Sequence, residues 1–288
     1  MKLVQCSYGG KDNLGLLTDG DSTVKLITDP KLPNSTVKLL QLGTRQHVLD
    51  LLSAAEATAS AVPLSEVKLL PPITAPDKVL CIGMNYVDHC AEQNVPVPTE
   101  PVVFNKFPSC IVGPEDAIEL AGDVTSELDW EVELAVVIGQ RCRDVSPEQA
   151  ADFIFGYTVA HDVSARDWQL RRNGGQWLIG KAMDTFCPLG PCVATADSLD
   201  PASLRLWCDV NGQRQQQGST AQLVFNCAQV VSHLSRSGVT LLPGDVILTG
   251  TPPGVGVFRR PPLFLKHGDV VECGVEGIGS IRNKVVAV

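Results

Sequence analysis

The chain has 288 residues, a formal net charge of −9 and a hydrophobic fraction of 44%. That apolar content supports a packed core and argues against a wholly disordered chain. The acidic balance leaves no basic stripe to neutralise phosphates, which argues against a general nucleic-acid binder. Glycine and proline number 25 and 20 while only 5% of residues are aromatic, a composition that favours strands and turns over long helices.

The first 76 residues predict a small N-terminal unit followed by a linker. Residues 1–28 alternate apolar segments with Gly-Gly and Asp-Gly pairs, the pattern of short antiparallel strands joined by tight turns. A helix is predicted from about Thr44, its N-cap, to about Ala59. Prolines then break the pattern, so we expect a small domain over 1–62, a linker over 63–76 and the main domain over 77–288.

The main domain is predicted to be strand-rich α+β. One helix is expected to begin after Ser146, which forms a capping box with Gln149, and to end before Gly156. Another helix is expected over 226–237, ended by Gly238. Many strands with few helices favour this class over a βαβ repeat. Strands are predicted over 78–83, 102–106, 131–138, 157–162, 204–210, 245–250, 269–273 and 279–287.

Ten cysteines raise the question of zinc or disulfides. No Cys-x-x-Cys occurs, and the closest pair is Cys187 and Cys192, which disfavours zinc knuckles. Several cysteines lie in apolar runs, so we expect reduced thiols that pack as small hydrophobes. The first residues lack the apolar core of a secretory signal, and no run is long enough for a membrane span; we therefore expect no membrane partner.

Three carboxylates form the first candidate site. Glu131 and Glu133 are two residues apart in a predicted strand, so their side chains share a face. Asp162 ends the next strand and could add a third oxygen ligand. A divalent cation such as Mg²⁺, Mn²⁺ or Ca²⁺ would offset both the repulsion and the cost of burying these groups. The alternative is an acidic strand face in solvent.

A second candidate is a possible acid–base pair, His89 and Glu92. One helical turn would bring their side chains together, and a carboxylate beside an imidazole makes a competent general base. The pair could equally be a surface contact at a helix start. Lys181, after Gly180, could place an ammonium in a pocket and stabilise an oxyanion, or it could be an exposed lysine after a turn.

Two further segments contain polar residues suited to substrate binding. Arg166, Asp167 and Gln169 follow a strand, where Arg166 and Asp167 could be a structural ion pair. The glycine-rich loop 249–256 contains Thr251 and could cradle an anion, but it lacks the Gly-Lys-Ser/Thr ending of a nucleotide-binding P-loop. The remaining histidines, at 47, 161, 233 and 267, are interpreted as structural or surface residues.

The order of these motifs resembles the fumarylacetoacetate hydrolase family over about residues 77–288. The stretches 83–90, 160–169 and 246–256 carry most of the resemblance. It implies a mixed β-roll or barrel-like fold, usually in a homodimer. It also implies that Mg²⁺, or else Mn²⁺ or Ca²⁺, is held by Glu131, Glu133 and Asp162.

The family resemblance assigns roles to the other candidates as well. His89 and Glu92 are expected to act as base or proton shuttle on a mobile, lid-like segment. Lys181 is expected to hold a substrate oxygen. The remaining residues expected at the substrate site are Gln169, Thr251 and Arg166, although Arg166 would fit equally well in an ion pair with Asp167 or another carboxylate.

Asn85 stands near the place where the family's founding hydrolase has an additional metal-binding aspartate. This difference disfavours fumarylacetoacetate hydrolysis itself. Among the other family members, resemblance to the group most similar to this chain implies keto–enol tautomerisation of oxaloacetate. Hydrolysis of an acylpyruvate-type C–C bond and decarboxylation of oxaloacetate are the alternatives, because all three reactions pass through an enolate. A non-catalytic binding protein is a further alternative. The resemblance implies a mitochondrial matrix location, with the cytoplasm as the alternative.

Overall fold

The structure is a computed structural model that describes residues 1–18 and 20–288. Asp19, which belongs to the predicted Asp-Gly turn, lies outside the described residues. Within the described part the strands, in chain order, are β1 (Lys2–Tyr8), β2 (Lys11–Thr18), β3 (Thr23–Ile27), β4 (Ser60–Pro63), β5 (Lys68–Leu70), β6 (Val79–Gly83), β7 (Val102–Lys106), β8 (Ile111–Val112), β9 (Ile118–Leu120), β10 (Leu128–Asp129), β11 (Val132–Ile138), β12 (Ile154–His161), β13 (Ser164–Ala165), β14 (Cys187–Thr195), β15 (Arg205–Val210), β16 (Gln213–Ser219), β17 (Val246–Leu248), β18 (Val270–Val275) and β19 (Gly279–Ala287).

The helices are short, as the turn-rich composition predicts. Their bounds are α1 (Thr36–Leu40), α2 (Arg45–Glu56), α3 (Val87–Glu92), α4 (Pro147–Ala150), α5 (Arg166–Leu170), α6 (Leu178–Lys181) and α7 (Cys227–Arg236). Thr44 caps α2 by accepting a hydrogen bond from the backbone N–H of His47. Asn226 caps α7, and Gly238 follows that helix with a φ of +89°, a conformation that favours glycine.

Two mixed sheets form the core and confirm the predicted strand-rich α+β fold. The larger sheet has the order β4-β3-β2-β1-β14-β12-β11-β17-β6-β7, with β5 also paired to β1 and β8 to β14. Most pairs are antiparallel, but β17 and β6 are parallel. The second sheet has the order β16-β15-β18-β19-β9. Its β18 and β19 pack against β12 and β14 of the larger sheet, which encloses the core between them.

β11 is a central strand, and every one of its residues is buried. It pairs antiparallel with β12 on one side and with β17 on the other. An apolar strand buried on both faces is the environment where a charged side chain is most costly. Glu133 lies within this strand, so its carboxylate requires a specific partner.

The helix predicted from Ser146 to Gly156 is shorter than expected. Its start is confirmed, because the capping box between Ser146 and Gln149 is formed. The helical turns end by Phe153, however, and Gly156 lies inside β12. A Cβ at Gly156 would come within 2.2 Å of the Ala194 carbonyl oxygen. Gly156 is therefore required for close pairing of β12 with β14 and does not end a helix.

The division into residues 1–62, 63–76 and 77–288 stays a prediction. The larger sheet includes strands from both sides of the predicted linker, because β1 pairs with β14. Within the predicted linker, β5 pairs with β1. All ten cysteines are buried and free, as expected for structural thiols. In the described residues, none of the helices has both the length and the apolar character needed to span a membrane.

Candidate active site

Two neighbouring strands bring the three predicted carboxylates together. Glu131 immediately precedes β11, and Asp162 immediately follows β12. The backbone N–H of Asp162 donates to the Glu131 carbonyl at 2.9 Å, which fixes the two residues opposite each other. Carboxylate oxygens of Glu131, Glu133 and Asp162 lie within 4.8 Å of one another, and all three residues are buried. The alternative of a solvated acidic face is therefore wrong.

Three buried cations surround two of these carboxylates. The Lys181 ammonium donates to Glu131 at 2.9 Å and to Asp162 at 2.7 Å. Lys106 donates to Asp162 and, at 3.1 Å, to the Val163 carbonyl. An Arg166 guanidinium nitrogen lies 2.7 Å from Glu131. Burial raises the pKa of Glu131, but Lys181 and Arg166 outweigh that effect and lower it to about 2.

Glu133 differs from the other two carboxylates because it has no cationic partner within residues 1–18 and 20–288. Its Oε2 accepts a 2.6 Å hydrogen bond from the backbone N–H of Gly250, and only 2% of the residue is exposed. Burial, together with the charges of Asp162 and Glu131, raises its pKa well above the ordinary value. A buried carboxylate beside two others fits a site that a hard divalent cation completes. The donor set, three carboxylates, suits Mg²⁺, Mn²⁺ or Ca²⁺.

The predicted acid–base pair is formed on α3. His89 Nδ1 lies 2.8 Å from Glu92 Oε2, which leaves Nε2 as the imidazole nitrogen available to a substrate. The other Glu92 oxygen accepts a 2.9 Å hydrogen bond from the backbone N–H of Gly254. The His89 ring packs at 6.1 Å from that of Phe258. Both sides of the pair are thus held by the loop that follows β17.

A cleft of about 480 Å³, including its open mouth, joins the dyad to the carboxylates. Its lining combines polar and apolar side chains, as expected for a small-molecule site. Its lining contains all but two of the predicted site residues. The two exceptions are Glu92, which is bonded to His89, and Asp162, which is buried and bonded to Lys181. The predicted residues that line it are His89, Glu131, Glu133, Arg166, Gln169, Lys181 and Thr251.

Arg166 is not paired with Asp167, which was one of the two options left by the sequence. Its Nε donates to Asp129 at 2.8 Å, and its Nη1 contacts Glu131 and the side-chain oxygen of Gln169. Nη2 is buried and has no partner among the described residues. Asp167 instead accepts from the Thr125 hydroxyl at 2.6 Å. Arg166 is thus anchored by carboxylates and still has one unused donor.

Lys181 is buried, so the alternative of an exposed lysine is wrong. It ends α6, which packs closely against α5. A Cβ at Gly180 would lie 2.7 Å from the backbone nitrogen of Gln169, so glycine is required there. Gly180 therefore allows α6 to approach closely enough for Lys181 to reach Glu131 and Asp162.

Asn85 joins separate backbone segments through its side-chain amide, and the hydrogen bonds of that amide do not involve the three carboxylates. Its amide nitrogen donates to the carbonyls of Phe225 and Thr249, at 3.0 and 2.8 Å, and its oxygen accepts from the Phe225 N–H. The neutral amide is suited to this mixture of donors and acceptors. It fixes the start of the α3 segment to the loop after β17.

Sequence reasoning missed Lys106 and Asp129. Lys106 ends β7 and shares a strand face with Phe104, whose ring lies 5.2 Å from the Lys181 ammonium. That alternation was the available signal. Asp129 is completely buried and accepts hydrogen bonds from three backbone N–H groups and from Arg166. Apart from the bond from Trp130, these bonds come from distant parts of the chain and could not be predicted from a local pattern.

An acid–base dyad that faces a cluster of buried carboxylates is an arrangement typical of metal-assisted proton transfer. A family model described as fumarylacetoacetate (FAA) hydrolase C-terminal matches residues 78–286. The human protein named oxaloacetate tautomerase FAHD2A, mitochondrial, is 54% identical over 278 residues, which cover 95% of this chain and 87% of that protein. This chain therefore belongs to the fumarylacetoacetate hydrolase family, as the motif order predicts.

Solved structures agree with this assignment. The fumarylacetoacetate hydrolase from psychrophilic Exiguobacterium antarcticum has a TM-score of 0.88 and 38% identity, with full coverage of both chains. Maleylpyruvate hydrolase from Sphingobium sp. SYK-6, solved in complex with manganese (II) ion and pyruvate, has a TM-score of 0.82 and 29% identity, covering 100% of this chain and 99% of that one. The predicted fold is thereby confirmed, and both of these solved relatives are named as hydrolases.

Proposed function

We propose that this protein is an oxaloacetate keto–enol tautomerase that uses a divalent metal ion, with Mg²⁺ as the first choice and Mn²⁺ or Ca²⁺ as alternatives. The observation that carries the proposal is Glu133, a buried carboxylate without a cationic partner in the described structure, set between two further carboxylates. The name of the human relative supports the substrate. When bound, the metal would hold the carboxylate and 2-oxo oxygens of the acid and stabilise negative charge on the 2-oxo oxygen.

Tautomerisation moves one proton between the C2 oxygen and C3, and no carbon–carbon bond changes. His89 would add or remove the C3 proton through Nε2, because Nδ1 is held by Glu92. Lys181, with two of its donors on Glu131 and Asp162, has a third donor for the C2 oxygen. The protein's own residues thus supply a group at each end of the proton transfer.

Three further side chains would orient the acid. The free Nη2 of Arg166 would donate to the C1 carboxylate, since the rest of the guanidinium is anchored beside Glu131. The side-chain oxygen of Gln169 accepts from Arg166, and Gln169 lines the cleft, where its amide NH₂ would donate to the acid. The Thr251 hydroxyl donates to the Val132 carbonyl at 2.9 Å, which positions the loop that closes the same end.

The test is turnover of oxaloacetate by the metal-loaded protein, with three products followed in parallel. Conversion of enol to keto form is read by ultraviolet absorbance, decarboxylation by release of CO₂, and hydrolysis by cleavage of acylpyruvate. Metal-dependent tautomerisation that exceeds the other two reactions supports the proposal. Faster CO₂ release or faster acylpyruvate cleavage would replace it with the corresponding alternative, and activity unchanged by a chelator would refute the metal's role.

We also propose that the protein is a homodimer located in the mitochondrial matrix. β7 is the last strand of the larger sheet and exposes Val102 and Val103, with Phe107 just beyond it, as an apolar edge that a second copy could cover. The human relative is named as mitochondrial. Light scattering that gives the mass of one chain would refute the dimer, and cell fractionation of the natural protein tests the location.

A further inference from the structure

The side chain of Gln93 lines the cleft beside His89 and has no role in the function proposed above. Gln93 directly follows α3, and its backbone keeps a helical conformation with φ −86° and ψ −4°. Its N–H donates to the His89 carbonyl at 3.3 Å, which continues the helical turn. Residues four apart in a helix share a face, so the Gln93 amide lies one turn from the imidazole on the same side.

The amide nitrogen of Gln93 makes only a weak hydrogen bond, which a ligand could replace with little loss of free energy. Its Nε2 donates to the thioether sulfur of Met84 at 3.3 Å. A thioether is a weak acceptor, so an anionic oxygen would displace it at little cost. The Thr251 hydroxyl, in contrast, is already engaged by the Val132 carbonyl and by Gln216. Gln93 therefore offers the cleft a donor outside the cluster of carboxylates.

The cationic donors of the cleft lie near the three carboxylates, so Gln93 is the donor placed to contact the other end of the substrate. Lys181 and Arg166 are both anchored on Glu131, at the carboxylate end of the cleft. These cations would serve the C1 carboxylate and the C2 oxygen. In oxaloacetate the second carboxylate, C4, is bonded directly to C3, the carbon whose proton His89 would move. The group that contacts C4 must therefore lie next to His89.

We propose that Gln93 binds the C4 carboxylate and makes the site selective for four-carbon 2-oxo dicarboxylates over 2-oxo acids that end in a methyl group. This inference rests on the proposed function, because it assumes that the C1 carboxylate and the C2 oxygen are held by the metal that Glu131, Glu133 and Asp162 would bind. A neutral amide suits the role, since it adds a hydrogen bond at C4 without a fixed charge that would hold the product.

The test compares ligands with and without the C4 carboxylate in the metal-loaded protein and in Gln93→Met, which keeps the length of the side chain and removes its donor. The binding of malate, a non-reacting analogue with the same carbon skeleton, is expected to weaken about tenfold, whereas that of 2-hydroxybutyrate changes less than about twofold. The KM of oxaloacetate is expected to rise about tenfold. Proton exchange at C3 of 2-oxobutyrate, followed by NMR in D₂O, is expected to remain unchanged.

Two additional variants sharpen the comparison. Gln93→Glu places a like charge at C4 and is expected to weaken malate binding more than Gln93→Met does. Gln46→Met makes the same replacement on the exposed side of α2, where the glutamine contacts Asp50, and is expected to leave every constant unchanged. Gln46 thus controls for the substitution itself.

Three outcomes are decisive. Equal weakening of malate and 2-hydroxybutyrate, or no weakening of either, would overturn the role of Gln93. The wild-type protein could prefer malate to 2-hydroxybutyrate, and lose that preference in Gln93→Met, yet fail to turn over oxaloacetate. That result would reject the tautomerase proposal and support the role of Gln93 in ligand selectivity. Turnover of oxaloacetate that Gln93→Met leaves unchanged, together with unchanged malate binding, would support the tautomerase proposal and reject the role of Gln93.

Discussion

Glu92 Oε1 accepts a 2.9 Å hydrogen bond from the backbone N–H of Gly254, although the two residues lie 162 positions apart in the sequence. This bond joins α3, which carries His89, to the loop after β17. Gly254 is itself fixed, because its carbonyl accepts from the indole of Trp130 and from Arg259, each at 3.2 Å. The dyad is therefore hydrogen-bonded to a loop that is itself anchored by Trp130 and Arg259.

Replacing Glu92 with glutamine is expected to lower kcat about 10- to 100-fold while metal affinity stays unchanged. The amide keeps the size of the side chain but removes the carboxylate that orients the imidazole for proton transfer. Stopped-flow enol-to-keto kinetics and calorimetric metal titration measure the two quantities. Glu100→Gln, an exposed neighbour on the segment after α3, is the control. A loss of metal affinity in Glu92→Gln would contradict the assignment.

Glu133→Gln is expected to raise the stability of the metal-free protein and to weaken metal binding. In the metal-free protein the variant removes a carboxylate whose pKa is raised first by burial and then by the charges of Asp162 and Glu131. Its Tm should therefore rise by about 2–4 °C, the shift expected for about 1 kcal/mol in a protein of this size. The metal should bind at least about 100-fold more weakly, because one of its anionic ligands is lost.

Calorimetry with Mg²⁺ and Mn²⁺, together with thermal melts with and without metal, tests this prediction. Added metal should stabilise the wild-type protein more than the variant. A variant that is less stable without metal and binds metal normally would show that Glu133 has a purely structural role.

The sequence predicts those parts of the site that depend on local geometry. The strand alternation of Glu131 and Glu133 and the helical spacing of His89 and Glu92 are examples, because a period of two or one helical turn fixes which side chains share a face. The structure confirms both pairings. The N-caps Thr44 and Asn226 are confirmed for the same reason.

Other features depend on contacts between distant segments and could not be predicted. Gly156 reads as a helix stop, yet it is required by the approach of Ala194 from another strand. The alternation of Lys106 with Phe104 indicates a shared strand face, but it does not identify Asp162 as the ion-pair partner of Lys106. Asp129 was adjacent to a recognised motif, but its partners at 166, 256 and 257 are brought to it by the fold.

Asp129→Asn is expected to destabilise the protein by about 3 kcal/mol. The carboxylate accepts from Arg166 and from the backbone N–H groups of Trp130, Gly256 and Val257, at 2.7 to 3.0 Å. An amide would present its own N–H₂ to some of these donors and leave the buried guanidinium with Glu131 as its one remaining carboxylate partner within the described residues. Urea unfolding of the metal-free protein gives the loss in free energy.

A surface pair provides the control for Asp129. Arg205 and Glu276 form a bidentate ion pair, but their side chains are 75% and 43% exposed. Glu276→Gln should therefore destabilise the protein much less than Asp129→Asn does, because water and salt screen the exposed pair. Similar losses in both variants would mean that Asp129 is not the anchor that its contacts indicate.

His161→Leu is expected to flatten the dependence of stability on pH. The imidazole is completely buried, and neither ring nitrogen has a partner among the described residues. Burial, aided by the charge of Lys106, lowers its pKa to about 3, compared with about 6.5 in the unfolded chain. Because the unfolded state then binds the additional proton between these values, the free energy of unfolding falls as the pH drops from about 6.5 towards 3.

The contribution of His161 to that fall is at most about 1.4 kcal/mol per pH unit. Urea unfolding of the metal-free protein at pH 7, 6 and 5 measures it. At pH 7, His161→Leu should be as stable as the wild type or more stable, because the replacement removes two buried polar atoms that make no hydrogen bonds. At pH 5 the advantage of the variant should be larger. His47→Leu, on the exposed side of α2, is the control and should reproduce the pH dependence of the wild type. If the free energy of unfolding of His161→Leu fell with decreasing pH as steeply as that of the wild type, the prediction would be refuted.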